Sequence, residues 1–114
     1  MDKMAQEDIG RRLAQFPEWT QTGDALQRTF NFTTFLEAMS FVVRIAELAE
    51  DHQHHPDILI RYNKVTLTLS THDAGGLTER DFELAREADA AMAAAPVSKS
   101  KESPGTRKGA GTRR

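Results

Sequence analysis

Val65-Thr66-Leu67-Thr68-Leu69-Ser70 alternates apolar and polar residues without a break. A period of two puts the three aliphatic side chains on one face and the hydroxyls on the other, so the run predicts a half-buried strand. Such a strand needs neighbours and a second layer over its apolar face. In the run before it, Ile58, Ile60 and Tyr62 share one face and Leu59 and Arg61 the other, with Asn63-Lys64 as the expected tight turn. Further back, Leu26, Phe30 and Phe32 alternate with Gln27, Thr29 and Asn31. Glu18 to Gln21 reads as a short strand anchored on Trp19, and Thr22-Gly23-Asp24 as the turn that joins the two. Arg28 interrupts the apolar face, which is therefore expected to stay incompletely closed.

Helical spacing fills the gaps between these pairs. Ile9, Arg12/Leu13 and Phe16 fit a helix over 5–15 that Pro17 ends. Thr33 or Thr34 caps a helix running to about Asp51, with Glu37 placed for a capping box. It carries two apolar stripes, Phe35, Met39, Val42/Val43, Ala46, Glu50 and Ala38, Phe41, Ile45, Leu48, His52. That face is wider than one sheet contact needs, so the surplus is available to the first helix or to another subunit. Thr78 caps a last helix with Asp81 three residues on, marked by Phe82, Ala85, Asp89 and Met92 and fading at Ala93–Pro96. The expected fold is α+β, two-layered, with a four-stranded antiparallel sheet and three helices on one face, in the order αββαββα.

Charge divides the chain in two. Residues 1–96 hold nine Lys/Arg against sixteen Asp/Glu, a net of −7, while residues 97–114 carry a net of +5. The first part is expected to be a single domain. Its acidity argues against direct nucleic-acid binding by the folded body. The second part has too little apolar surface to offset its ordering entropy and reads as a disordered basic tail. No apolar run approaches the roughly 20 residues of a membrane span, the N-terminus is charged, and there is no cysteine. A cytoplasmic protein without membrane contact is expected.

All four histidines, His52, His54, His55 and His72, lie between Glu50 and His72. Imidazoles titrate near neutral pH, so the cluster points to proton transfer or metal binding. Pro56 forces the residue before it out of helical geometry and sets the cluster at a helix-to-strand junction. Glu50 is in phase with an apolar stripe and is expected to point to the core, at a helix C-terminus where the macrodipole disfavours negative charge. His54 and His55 point to opposite sides of an extended segment. His72 is expected on the polar face with Thr66, Thr68 and Ser70, so that three histidines converge on one hairpin base. His52 reads as a surface or hydrogen-bonded residue. Gly75-Gly76-Leu77-Thr78 reads as a turn into a capped helix, and Asp81 as its cap partner.

Glu50-x-x-x-His54-His55-Pro56-Asp57, Tyr62-Asn63-Lys64-Val65 and Thr71-His72-x-x-Gly75-Gly76-Leu77-Thr78-x-x-Asp81 together resemble the signature of the pterin-4a-carbinolamine dehydratases. The similarity extends to Trp19, to Arg28-x-Phe30-x-Phe32 and to the helix after it, over roughly residues 5–93. The resemblance implies dehydration of 4a-hydroxytetrahydropterin to quinonoid dihydropterin, in tetrahydrobiopterin recycling, with no metal or other cofactor. It implies His54, His55, His72 and Glu50 as catalytic residues. Pro56, Asp57, Ile58, Thr71 and Asp81 are implied to bind the pterin. Family members often carry tryptophan where this chain has Ile58. The chemistry needs an acid for the departing hydroxyl and a base for the ring N–H proton, and imidazoles serve as either. His55 and His72 are assigned the protons, and His54 the hydroxyl or the orientation of the ring. The resemblance also implies a homodimer or homotetramer.

Two other readings compete. Glu50, His52, His54, His55 and His72 offer a donor set for zinc or copper. A binding module is the other, with the wide helix over 33–51 as its surface and polar substitution at Phe41 and Ile45 as its test.

Overall fold

In a computed structural model, residues 2–94 are described. The tail over 97–114 and the fading of the last helix at Ala95 and Pro96 lie outside them. The order is α1 (Gln6–Leu13), β1 (Thr20–Thr22), β2 (Ala25–Asn31), α2 (Phe35–His52), β3 (Asp57–Arg61), β4 (Lys64–Leu69) and α3 (Glu79–Ala94), with a 3-10 turn at His72–Ala74 before α3. This is the αββαββα arrangement that the alternating and helical periods imply.

Local chemistry accounts for the boundaries. The backbone N–H of Glu37 donates to Thr34 Oγ1 at 3.1 Å, and Glu37 Oε1 accepts from the N–H of Thr33 at 3.1 Å. These two bonds start α2 as a capping box would. Glu7 and Asp8 in the first turn of α1, and Arg11 and Arg12 in its last, follow the helix macrodipole. β1 starts later than expected, at Thr20, so Trp19 lies in its lead-in as a buried side chain. The pairing Arg61↔Lys64 places Tyr62-Asn63 in the β3–β4 turn, one residue earlier than the sequence indicates. Tyr62 takes a φ of 53°, a conformation usually left to glycine. Asn63 holds this turn in place: its Nδ2 donates to Phe32 O at 2.8 Å, and its carbonyl accepts from Phe32 N at 2.9 Å.

The strand order is β1-β2-β4-β3, all antiparallel, so two hairpins are joined through β2 and β4. Leu26 pairs with Leu69 and Phe30 with Val65, which puts the buried side chains of both central strands on the helix side. There they meet Ala38, Phe41, Ile45 and Leu48 of α2 and Phe82, Leu84, Ala85 and Ala88 of α3. The opposite face is polar. Gln27 Nε2 donates to Thr68 Oγ1 at 3.0 Å, and the hydroxyls of Thr29 and Thr66 are 2.7 Å apart.

Arg28 corrects one expectation. It pairs with Leu67 on the helix side, where a charge in the apolar face would leave a gap. Instead its guanidinium lies 4.2 Å from the Phe30 ring centroid and donates to Asp89 Oδ1 at 2.6 Å. Trp19 Nε1 donates to the same oxygen at 2.8 Å. The carboxylate of Asp89 thus draws α3, β2 and the β1 lead-in together, and the face closes over Arg28.

The two stripes of α2 have different fates. Phe41 and Ile45 are core residues, so polar substitution there would test folding rather than partner binding. The other stripe faces mostly outward, with Met39 half-buried and Val42 packed against the edge of the core. Phe35, Val43, Ala46 and Glu50 are exposed, because α3 packs beside α2 and the sheet needs only one stripe. Glu50 therefore does not point to the core, contrary to the expectation from its phase.

Candidate functional site

The site is built where α2 ends. Gln53 adopts a left-handed conformation (φ 49°, ψ 44°) and reverses the chain. Its N–H donates to Glu50 O at 3.2 Å, and the N–H of His54 donates to Ala49 O at 3.0 Å. This is the bonding of a Schellman motif, with glutamine at the position that usually holds glycine. Pro56 then keeps the chain extended into β3. The reversal turns His54 inward and leaves His55 outside, as expected for adjacent residues on an extended segment.

His54 reaches the first turn of α3. Its Nε2 lies 2.5 Å from Asp81 Oδ1, with the His54 side chain 8% exposed and that of Asp81 fully buried. Asp81 Oδ2 accepts from Thr71 Oγ1 at 2.8 Å and from the N–H of Thr78 at 2.9 Å. Thr71 and Thr78 hydroxyls are 2.7 Å apart. Because the Thr71 proton goes to the carboxylate, the Thr78 hydroxyl is the donor in that last pair. A carboxylate is only an acceptor, so Nε2 of His54 carries the proton of the Asp81 bond. In the neutral ring this fixes the tautomer, with Nδ1 the ring nitrogen left for other chemistry.

His55 forms a second imidazole–carboxylate pair on the other side of the backbone. Its Nε2 lies 2.6 Å from Glu50 Oε2, and the two side chains are 62% and 77% exposed. His72 stands apart from both bonds. β4 ends at Leu69, Thr71 makes a bridge to Gly76, and His72 opens the 3-10 turn as an exposed residue. The strand therefore does not carry His72 onto the polar face with Thr66 and Thr68, because the chain turns before it. His72 remains adjacent in sequence to Thr71, which holds Asp81. Among the described residues, no three or more His, Cys, Asp or Glu side chains assemble as a metal-binding group. The donor set considered for zinc or copper is thus dispersed: Glu50 bonds His55, His54 bonds Asp81, and His52 and His72 stand outside both pairs.

A profile of the family described as pterin 4 alpha carbinolamine dehydratase matches residues 2–91. This chain belongs to that family. A relative from Thermomicrobium roseum, provisionally named a pterin-4-alpha-carbinolamine dehydratase, is 55% identical over 87 residues, covering 76% of this chain and 94% of its own length. One of the same provisional name from Chloroflexus aurantiacus is 49% identical over 92 residues, covering 81% of this chain and 99% of its own. Among solved structures, a transcriptional coactivator/pterin dehydratase from Brucella melitensis superposes with a TM-score of 0.77 at 31% identity, over 80% of this chain and 99% of that one. A pterin dehydratase-like RuBisCO assembly factor of the alpha-carboxysome shares the fold, with a TM-score of 0.55 at 24% identity over 65% of this chain and 86% of that one. Among the described residues no helix is long and apolar enough to cross a membrane.

In this dehydratase-family chain, the expected site residues separate by burial. Thr71 and Asp81 are buried and bonded to protein groups, so they support His54 rather than line an open surface. Pro56 is half-buried, and Asp57 and Ile58 are exposed at the start of β3. Asp81 does cap α3, as the spacing indicated, but its other oxygen holds the imidazole. Two residues escaped sequence reasoning. The Thr78 hydroxyl extends the Asp81 network, which its capping role concealed. Arg80 donates from Nη2 to Gln53 O at 2.6 Å, and no periodicity or motif marks it.

Proposed function

We propose that this protein removes water from a pterin-4a-carbinolamine, giving the quinonoid dihydropterin, by histidine acid–base catalysis. The observation that carries this reading is the buried His54–Asp81 pair, which fixes one imidazole in one tautomer beside an exposed second pair, His55–Glu50. The leaving hydroxyl takes a proton from an acid and departs as water; the ring N–H gives its proton to a base. No covalent intermediate is needed, and each proton transfer of this kind contributes about 10²–10⁴-fold. His54, held by Asp81, binds the hydroxyl or orients the ring through Nδ1. His55 and His72, both exposed, handle the protons, and Glu50 orients the His55 ring through its hydrogen bond to Nε2. Ile58, beside Asp57, covers a face of the pterin. In a host with aromatic amino-acid hydroxylases, this reaction serves tetrahydrobiopterin recycling.

The test is the decay of freshly generated 4a-hydroxytetrahydropterin, followed by ultraviolet absorbance. Wild type accelerates it, and His72→Ala loses about 10²-fold or more of that acceleration. Failure of the wild-type protein to accelerate the decay overturns the reading; an unchanged His72→Ala removes His72 from the mechanism.

Self-association accompanies this reading, supported by the outward stripe of α2, where Phe35 is 44%, Leu36 76% and Val43 57% exposed. An apolar stripe of that kind marks a contact surface. Sedimentation velocity is expected to show a dimer or tetramer that Val43→Glu dissociates. A wild-type monomer at tens of micromolar would refute it.

A further inference from the structure

The reversal that delivers His54 depends on a residue poorly suited to it. Gln53 occupies the left-handed region, which disfavours an L residue with a Cβ. Its two backbone bonds to Glu50 O and Ala49 O hold it from within α2, and α3 holds it from outside. Arg80 does so: its Nη2 lies 2.6 Å from Gln53 O and 3.5 Å from His52 O, at the carbonyl end of α2. A guanidinium is suited to this place, since it donates in several directions and its charge complements the helix C-terminus.

The carbonyl that Arg80 grips belongs to the peptide unit whose nitrogen is that of His54. The peptide is planar, so fixing Gln53 O also fixes the His54 nitrogen and Cα. Arg80 is next to Asp81, which binds the His54 ring at the other end. The N–H of Arg80 donates to Thr78 Oγ1 at 3.2 Å, which ties it to the Thr78–Thr71–Asp81 network. One turn of α3 therefore holds His54 twice, by its backbone and by its imidazole.

We infer that Arg80 is a positioning residue for His54, acting by holding the left-handed reversal at Gln53. The inference rests on the dehydratase reading for its kinetic consequence, but its geometric content stands apart from it. Small displacements of a catalytic group are expensive, with about 10²-fold loss per ångström as an upper scale. Arg80→Gln is therefore expected to lower kcat about tenfold, with KM changing less than twofold.

The experiment uses the full chain and four proteins: wild type, Arg80→Gln, Gln53→Gly, and the two substitutions combined. Glycine adopts the left-handed conformation unaided. If Arg80 serves the reversal, Gln53→Gly restores most of the kcat lost in Arg80→Gln. Long-range ¹H–¹⁵N correlation of the imidazoles supplies a readout independent of activity. The His54 signal is expected to keep the Nε2-protonated pattern in wild type, to average toward mixed tautomers in Arg80→Gln, and to recover in the combined variant. A folded Arg80→Gln that keeps full kcat and the wild-type His54 pattern overturns the inference. So does a combined variant that stays impaired or unfolded, because Arg80 would then be only a tether between α2 and α3. A wild type that shows no dehydration overturns the functional reading instead, while the imidazole spectra still decide the role of Arg80.

Discussion

Asp81→Asn is expected to lower the dehydration rate by about 10²–10³-fold while leaving the fold intact. The amide has the shape of the carboxylate, but only one of its ends accepts. The Thr71 hydroxyl and the Thr78 N–H both need an acceptor at the Oδ2 position. The amide oxygen therefore stays there, and the NH₂ faces His54 Nε2 across the present 2.5 Å contact. Nε2 must then become the acceptor, which moves the ring proton to Nδ1, the nitrogen proposed to act on the pterin. A wrong tautomer in an otherwise intact site is costly, in line with the 10²–10⁴-fold usually contributed by a positioned acid or base. Stability is expected to fall by only about 1–3 kcal/mol, from loss of one charge-assisted bond. Steady-state dehydration rates and a thermal melt, measured on the same preparation, separate the two effects. A variant that retains wild-type kcat would sink the proposed role of the His54–Asp81 pair.

Phe30→Ala is expected to have the largest effect on stability, about 3–5 kcal/mol. Phe30 is fully buried on β2, with ring centroids 4.6 Å from Phe41 and 6.0 Å from Trp19. The Arg28 guanidinium also lies over its ring. Truncation leaves a cavity and also removes the surface on which the Arg28–Asp89 pair is held, so collapse of the neighbours gives little relief. At about 4–8 °C per kcal/mol for a domain of this size, the melting temperature should fall by well over 10 °C. A drop of less than about 5 °C would mean that the Trp19–Phe30–Phe41 cluster is not the centre of the core.

The fold was legible because its strands are half-buried. Period-two alternation at Leu26–Phe32 and Val65–Ser70, with Pro17 and Pro56 as breaks, leaves few other arrangements. Alternation assigns a residue to a face; it does not name the neighbouring strand, and so the central β2–β4 pairing came only from the structure. The site was legible in part. The resemblance gathered its residues, and the period of two separated His54 from His55. Glu50 was misplaced because phase along a helix says nothing about where the covering sheet stops. His72 was misplaced because the alternation was extended past Leu69, where the backbone already leaves the strand. The reversal at Gln53 gave no warning, since no glycine marks it. Asp81 shows a subtler limit: its cap spacing was a sufficient explanation of one oxygen and hid the use of the other.

Putting β2 and β4 in the middle of the sheet leaves β3 on the outside, where all five of its residues are exposed. An open edge bearing Ile58-Leu59-Ile60 has the character of a template for fibrillar strand addition. The run is bounded by Pro56 and Asp57 on one side and by Arg61 on the other. Three apolar residues between a proline and two opposite charges fall short of the roughly six-residue segments that zip into cross-β stacks. The residues that lead the chain out of the histidine cluster thus also act as gatekeepers against aggregation.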